Sequence, residues 1–320
     1  MKEMKAGKLL YSVMALCMAL CANAQERMTL MPAWLPQAQF AGYYVAKEKG
    51  FYADENIDLA IEHMGINSSK SGIERIGSGE VDIIISHPIQ AIMARDFGLK
   101  LKNVLQVTQN TGIMIVSHKK LDGPQSLNGQ TIGRWKSGFS EICEICCLNN
   151  YLDVKWIPFL NGINLFVSGA IDATVVMKYN EYNLLVEAMG GIDPENVLWF
   201  GDCGYDMPED GLYVTDEYLA SHRDLVERFC RATIKGWNYC VEHKEESIDI
   251  VMDFIEKAEI KTNRYHQSVM LDAMIELLRN RDTGQIDYRP IPEDKFDKLV
   301  NDLLKARYID NPVSYSDFSK

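Results

Sequence analysis

From Met28 onward, short runs of consecutive apolar residues alternate with segments whose apolar residues recur every three or four positions. The first pattern predicts strands and the second helices. Strands are expected at Met28–Leu30, Ile57–His63, Val81–Ile85, Leu101–Val107 and Ile113–Ser117. Helices are expected at Gly42–Lys49, Gly72–Ile76 and Pro88–Phe97, with Pro88 suited to a first helical turn. After the turn Leu127-Asn128-Gly129 the cycle repeats, with strands at Thr131–Trp135, Val154–Phe159, Ala173–Met177 and Val197–Phe200, and helices at Ser140–Asn149 and Asn161–Val167. Gly201–Gly211 is polar and glycine-bearing, which predicts a connector into a strand at Leu212–Thr215. Helical patterns then fill Ser221–His243, Glu245–Lys257, Asn263–Arg279 and Glu293–Arg307. No fixed-period repeat or low-complexity tract interrupts the series.

This order predicts an α/β protein with largely parallel sheets covered by helices on both faces. Two windings of the same kind predict two lobes. Residues 25–110 would begin the first lobe, 111–211 form the second, and 212–320 return to the first as a helical tail. The chain would cross twice, near Gln109–Gly112 and Gly201–Gly211. Open α/β sheets take ligands at the carboxyl ends of their strands, so the expected site is the crevice between lobes.

Residues 1–24 carry the pattern of an export signal. Lys2, Lys5 and Lys8 precede the short apolar run Leu9–Leu20, and Ala22-Asn23-Ala24 offers small residues for cleavage before Gln25. The run is too short to span a bilayer comfortably, and Leu16 and Leu20, ahead of Cys17 and Cys21, do not fit a lipoprotein signal. Without this segment the net charge moves from −12 to about −14. An acidic body argues against nucleic acid and anionic membrane surfaces as partners. Of the six later cysteines, Cys143, Cys146 and Cys147 share one predicted helix. No fourth ligand completes a zinc pattern there, so buried apolar packing is expected, and no metal or cofactor.

Several residues fall where a crevice would need them. Trp34, on a loop between strand and helix, has a π-face suited to a planar heterocycle, although the same ring can anchor its loop to the core. Gln37 and Gln39 bring amide groups to a helix start. Tyr43 opens an amphipathic helix, where lining and core packing are equally open to it. Ser86 and His87 end a buried strand just before a helix; Ser86 can equally cap that helix. Trp135 and Ser137 hold the corresponding place in the second lobe, where Ser140 can cap. Tyr179 and Glu181 follow the strand Ala173–Met177, and Glu181 can accept from an amino group. Asp202 and Tyr205 lie in the second connector, where turn formation also explains them, as it does Asp206.

The stretch Trp34-Leu35-Pro36 through Gly50-Phe51-Tyr52, closing with Ile57-Asp58-Leu59, resembles the opening of the periplasmic binding proteins for thiamine-pyrimidine precursors and alkanesulfonates. Gly77-Ser78-Gly79-Glu80-Val81-Asp82 continues the likeness, which fades in the second lobe and returns near Tyr205–Thr215. The resemblance implies a type 2 periplasmic-binding-protein fold that closes about its hinge on a small molecule. It implies a periplasmic monomer that passes its solute to the permease and ATPase subunits of an ATP-binding-cassette importer. Tyr179 resembles an aromatic that the family places after this strand. A vitamin B1 pyrimidine precursor is the expected ligand, with Trp34 and Trp135 stacking and Gln39, Ser86, Ser137 and Glu181 reading polar groups. The chain departs from the pyrimidine binders at two places, where Ala33 replaces an acidic or amide residue and Phe40 a histidine. The first loses a ring-nitrogen partner and the second is expected to make the mouth more apolar, which keeps a flavin, a sulfonate or another aromatic solute in view.

The family also has an enzymatic relative, the fungal thiamine-pyrimidine synthase, which consumes pyridoxal phosphate. Its lysine position falls here on Ser86 and its histidine position on Gln90, so a Schiff-base former is missing. Gly-x-Ser-x-Gly, P-loop, His-Glu-x-x-His and Gly-x-Gly-x-x-Gly patterns are all absent. A periplasmic sensor component would share the same sequence features as an importer component.

Overall fold

The computed structural model describes residues 25–64, 70–136 and 138–320. The expected export signal and Ser137 lie outside the described residues. Ten strands form two five-stranded sheets. The first contains β1 (Glu26–Met31), β2 (Ile57–Ile61), β3 (Ile83–Ser86), β4 (Leu101–Gln106) and β10 (Gly211–Thr215), in the order β2-β1-β3-β10-β4. The second contains β5 (Ile113–Ser117), β6 (Thr131–Trp135), β7 (Lys155–Phe159), β8 (Ala173–Met177) and β9 (Val197–Trp199), in the order β7-β6-β8-β5-β9.

The sheets are mixed rather than uniformly parallel, and the exceptions have one cause. β10 runs antiparallel to β3 and β4, and β5 antiparallel to β8 and β9. Both strands are the first that the chain forms after crossing from the other sheet. Parallel strands in each sheet end at the shared cleft. A chain arriving through the cleft therefore enters the new sheet from that end and must run the opposite way. Hydrophobic patterning carries no direction, so this reversal was not readable from it.

The two crossings are laced to each other. Val107 and Thr108 N–H both donate to the Asp210 carbonyl, at 3.1 and 3.2 Å. Glu209 Oε1 accepts from Thr111 Oγ1 and Gly112 N at 2.6 Å each, and from Ile113 N at 3.1 Å. Buried backbone groups need partners, and a carboxylate that gathers three donors supplies them where no ladder continues.

The helices Gly72–Gly77, Pro88–Asp96 and Arg223–Glu242 pack against strands of the first sheet. Ala41–Glu48 lies against Arg223–Glu242 at a glycine contact: a Cβ on Gly236 would sit 2.1 Å from the Gly42 carbonyl oxygen. The tail is helical as expected, at Arg223–Glu242, Lys244–Lys257, Arg264–Leu278 and Glu293–Lys305. The expected helix at Asn161–Val167 shortens to Asn164–Val167. Cys143, Cys146 and Cys147 are free and buried in the core, and burial pushes each thiol pKa up. No helix among the described residues is long and apolar enough to cross a membrane. Nor do those residues contain a cluster of three His, Cys, Asp or Glu side chains that would hold a metal.

Candidate functional site

Strand ends of both sheets meet around a small cavity. Ala33 and Trp34 follow β1, His87 follows β3, and Trp135 closes β6. Met177 closes β8, with Tyr179, Asn180 and Glu181 just beyond it. Gln37, Gln39 and Phe139 complete the wall. Seven residues predicted from sequence thus line one space: Trp34, Gln37, Gln39, His87, Trp135, Tyr179 and Glu181.

Trp34 and Trp135 meet edge to face across the lobes, with ring centroids 5.8 Å apart and planes at 79°. The backbone of each tryptophan is held from behind. His63 bridges the Trp34 carbonyl at 2.7 Å and Tyr44 OH at 2.8 Å, and burial drives its pKa down to about 4. Neutral His63 therefore donates from Nδ1 to the carbonyl and accepts the tyrosine hydrogen at Nε2. On the other side, Ser140 Oγ accepts the Trp135 backbone N–H at 3.0 Å. Ser140 was a candidate helix cap, but it makes no side-chain cap bond; its hydroxyl fixes the loop instead.

That loop is tightly fitted. Phe139 has φ 71°, a left-handed conformation unfavourable for an aromatic residue, and its ring packs on His87 at 4.8 Å. Gly138 has φ 101°, and a Cβ there would lie 3.0 Å from Glu141 Oε1 and 3.1 Å from Gln90 Nε2. Those two groups hydrogen-bond to each other between the lobes at 3.1 Å.

Carboxyl groups dominate the electrostatics. Gln37 Nε2 donates to Gln39 Oε1 at 2.5 Å, and Gln39 Nε2 to Asp210 Oδ2 at 2.9 Å. Asp210 Oδ1 faces His87 Nε2 at 3.5 Å, an ion pair too long for a good hydrogen bond. Burial opposes a charged His87, but the Asp210 pair and the fields of Glu209 and Glu141 outweigh it, so its pKa is raised. Burial lifts Glu209 and Glu181 to about 7, and raises Glu141 as well. Glu181 accepts from Met177 N at 3.1 Å and from Asn180 Nδ2 at 2.6 Å. Among the described residues no lysine or arginine lines this cavity.

The remaining sequence candidates lie elsewhere. Ser86 belongs to an adjoining, roomier cavity, which shares Ala33, Trp34 and Phe139 with the first. It does not cap the next helix; that position is His87, without a side-chain bond. Tyr43 is a core residue, fully buried against Trp237. Asp202 is exposed and pairs with Arg281 at 3.2 Å. Tyr205 packs under Lys298, in a separate cavity with Asp206. Phe40 is fully buried beside His63 and does not reach the mouth. Sequence reasoning passed over Phe139, Asn180, Glu209 and Asp210. The signal for the last two was an adjacent acidic pair at the start of a buried strand.

Two sheets with crossed connections and a cleft at their strand ends define the two-lobed periplasmic-binding-protein fold. The chain belongs to the NMT1/THI5-like family, whose sequence profile matches residues 37–247. It is 25% identical over 260 residues to the riboflavin-binding protein RibY of Chloroflexus aurantiacus, covering 79% of this chain and 74% of that one. It is 25% identical over 296 residues to the formylaminopyrimidine-binding protein of Halalkalibacterium halodurans, covering 88% of each. A 4-amino-5-hydroxymethyl-2-methylpyrimidine phosphate synthase of Legionella pneumophila is 22% identical over 257 residues, covering 77% and 78%. Among solved structures, the periplasmic aliphatic sulphonate binding protein SsuA of Escherichia coli shares the fold, with TM-score 0.67, 12% identity and 91% of each chain covered.

Proposed function

We propose that the chain is an exported solute-binding component of an ATP-binding-cassette importer, and that it captures a flat, amino-bearing heterocycle of the pyrimidine-precursor class. The observation that carries this reading is the acidic, aromatic cavity: Glu181, with Glu141, Glu209 and Asp210 near it, beside two indole rings. Aminopyrimidines present an amino N–H next to a ring nitrogen, and a carboxyl group with pKa about 7 can accept from the first and share its proton with the second. Trp34 and Trp135 supply aromatic faces and edges for the ring. A sulfonate would find no lysine or arginine among the described wall residues, and the one histidine there, His87, is already paired with Asp210. The formylaminopyrimidine-binding relative, matched over most of both chains, supports the same class.

A binding role fits better than synthase chemistry. Ser86 stands where the synthase resemblance places a lysine, and among the described residues of the cavity wall there is no amine to form an imine. Hinge motion about Val107–Gly112 and Phe200–Asp210 would let the two lobes contribute half the contacts each, so a ligand favours the closed form.

The adjoining cavity favours one second reading. A longer fused-ring solute such as riboflavin would fill the first space and extend past Trp34 into the second. Thermal unfolding with a panel of solutes separates the two, because a ligand that binds only the folded chain raises the midpoint. Stabilisation by 4-amino-5-hydroxymethyl-2-methylpyrimidine is expected, and none by an alkanesulfonate. Stabilisation by riboflavin alone would establish the second reading, and by the sulfonate alone would overturn both.

A further inference from the structure

The tail helix Arg264–Leu278 touches the recognition loops of both lobes and a crossing between them. Two consecutive residues reach in opposite directions. Gln267 Oε1 accepts the Ala38 N–H at 2.7 Å, inside the loop that carries Gln37 and Gln39. His266 Nε2 lies 2.9 Å from Asn180 Oδ1, on the loop that carries Glu181. At the other end of the helix, the Leu277 carbonyl accepts the Gln109 N–H of the first crossing at 2.7 Å. Glu276 pairs with Lys178 at 2.5 Å.

The directions of these bonds follow from their neighbours. Asn180 Nδ2 donates to Glu181 Oε1 at 2.6 Å, which turns Asn180 Oδ1 toward the helix and requires the hydrogen on His266 Nε2. Gln267 Nε2 donates to Thr262 Oγ1 at 3.0 Å, which leaves its carbonyl oxygen for Ala38. His266 and Gln267 are 6% and 3% exposed, so water competes poorly for either bond.

We propose that this helix is a closure strap. His266 acts as a positioning residue: it fixes Asn180, and through it the Glu181 carboxyl, only when the lobes meet. Gln267 holds the facing loop in the same register. Closing the lobes and completing the ligand site are then a single event. The inference rests on reading the cavity as the ligand site, and it adds residues outside the cavity wall to the recognition machinery.

Small-angle X-ray scattering and stopped-flow release, on the full chain and on His266→Ala, His266→Gln and Lys178→Glu, test it. The probe is 4-amino-5-hydroxymethyl-2-methylpyrimidine. His266→Ala is expected to deplete the compact population and release the probe about five- to ten-fold faster, with association little changed. Glutamine keeps a donor for Asn180 and is expected to restore much of both. Lys178→Glu, a surface change that should not impair folding, sets two like charges across the lobes and is expected to shift scattering the same way. Wild-type scattering and release in His266→Ala would overturn the strap. Failure of the wild-type chain to bind the probe would sink the ligand reading alone. Scattering without probe would then decide the strap, which requires a compact population that His266→Ala reduces.

Discussion

The edge of one indole meets the face of another where the lobes touch: Trp34 and Trp135 lie 5.8 Å apart, centroid to centroid, at 79°. Neither ring is packed wholly within its own lobe. Trp135 belongs to the buried apolar core, and Trp34, partly buried, packs against it.

Removing either ring should therefore affect both recognition and closure. Trp34→Ala is expected to weaken binding of the pyrimidine by about ten-fold or more, and Trp34→Phe by less, because phenylalanine keeps part of the aromatic surface. Tryptophan fluorescence on titration gives the measurement. Ligand-induced change should shrink and shift to higher ligand concentration in Trp34→Ala, where Trp135 still reports, and persist unchanged in a Trp156→Phe control, outside the cavity.

Glu181 and Glu209 hold their protons in the folded chain up to about pH 7, whereas an unfolded chain loses them near pH 4.5. Their contribution falls as pH rises between those values, and above pH 7 the full cost of burying the charge remains. Unfolding free energy at pH 8 is expected to be lower than at pH 6 by about 2–3 kcal/mol, roughly half from each carboxyl. Glu181→Gln should remove about 1 kcal/mol of that difference. Denaturant titrations at the two pH values check this; a flat profile in the wild-type chain would contradict it.

His63 has the opposite sign. Its folded pKa, about 4, lies below the ordinary value near 6.5, so its contribution is present above pH 6.5 and is lost as pH falls toward 4. His63→Ala removes the bridge between Tyr44 OH and the Trp34 carbonyl and is expected to cost about 2–3 kcal/mol. It should also weaken ligand binding without altering Glu181, which a pH series of affinities on the variant would show.

Gly236 allows the helices Ala41–Glu48 and Arg223–Glu242 to touch, and a Cβ there would overlap the Gly42 carbonyl. Gly236→Ala is expected to destabilise the fold by about 2–3 kcal/mol, because neither backbone can yield without moving the other. Thermal unfolding would report it. A midpoint equal to that of the wild-type chain would mean that the helices separate at little cost.

Much of this molecule was legible in its sequence, for definite physical reasons. Ile83-Ile84-Ile85 is apolar on both faces of a strand, and Ile83–Ser86 is an inner strand of its sheet. Residues just past strand ends, such as His87, Tyr179 and Glu181, were predictable because an open α/β lobe exposes those positions to its cleft. Strand direction was not legible, since β5 and β10 take theirs from the crossings. Tyr43 was ambiguous in an amphipathic helix; only its neighbour Trp237, from a distant helix, decides that it is core. Asp210 looked like any connector acid, because its partner Gln39 lies 171 positions away. Tail helices read correctly as helices, yet nothing in their period marked His266 as the partner of Asn180.

Calorimetric titration of the wild-type chain and Glu181→Gln with 4-amino-5-hydroxymethyl-2-methylpyrimidine and with an alkanesulfonate tests the central claim most directly. Single-site binding of the pyrimidine, weakened at least about ten-fold in the variant, with no heat from the sulfonate, is the predicted result. Sulfonate binding that persists or strengthens when Glu181 is replaced by glutamine, with no response to the pyrimidine, would contradict it.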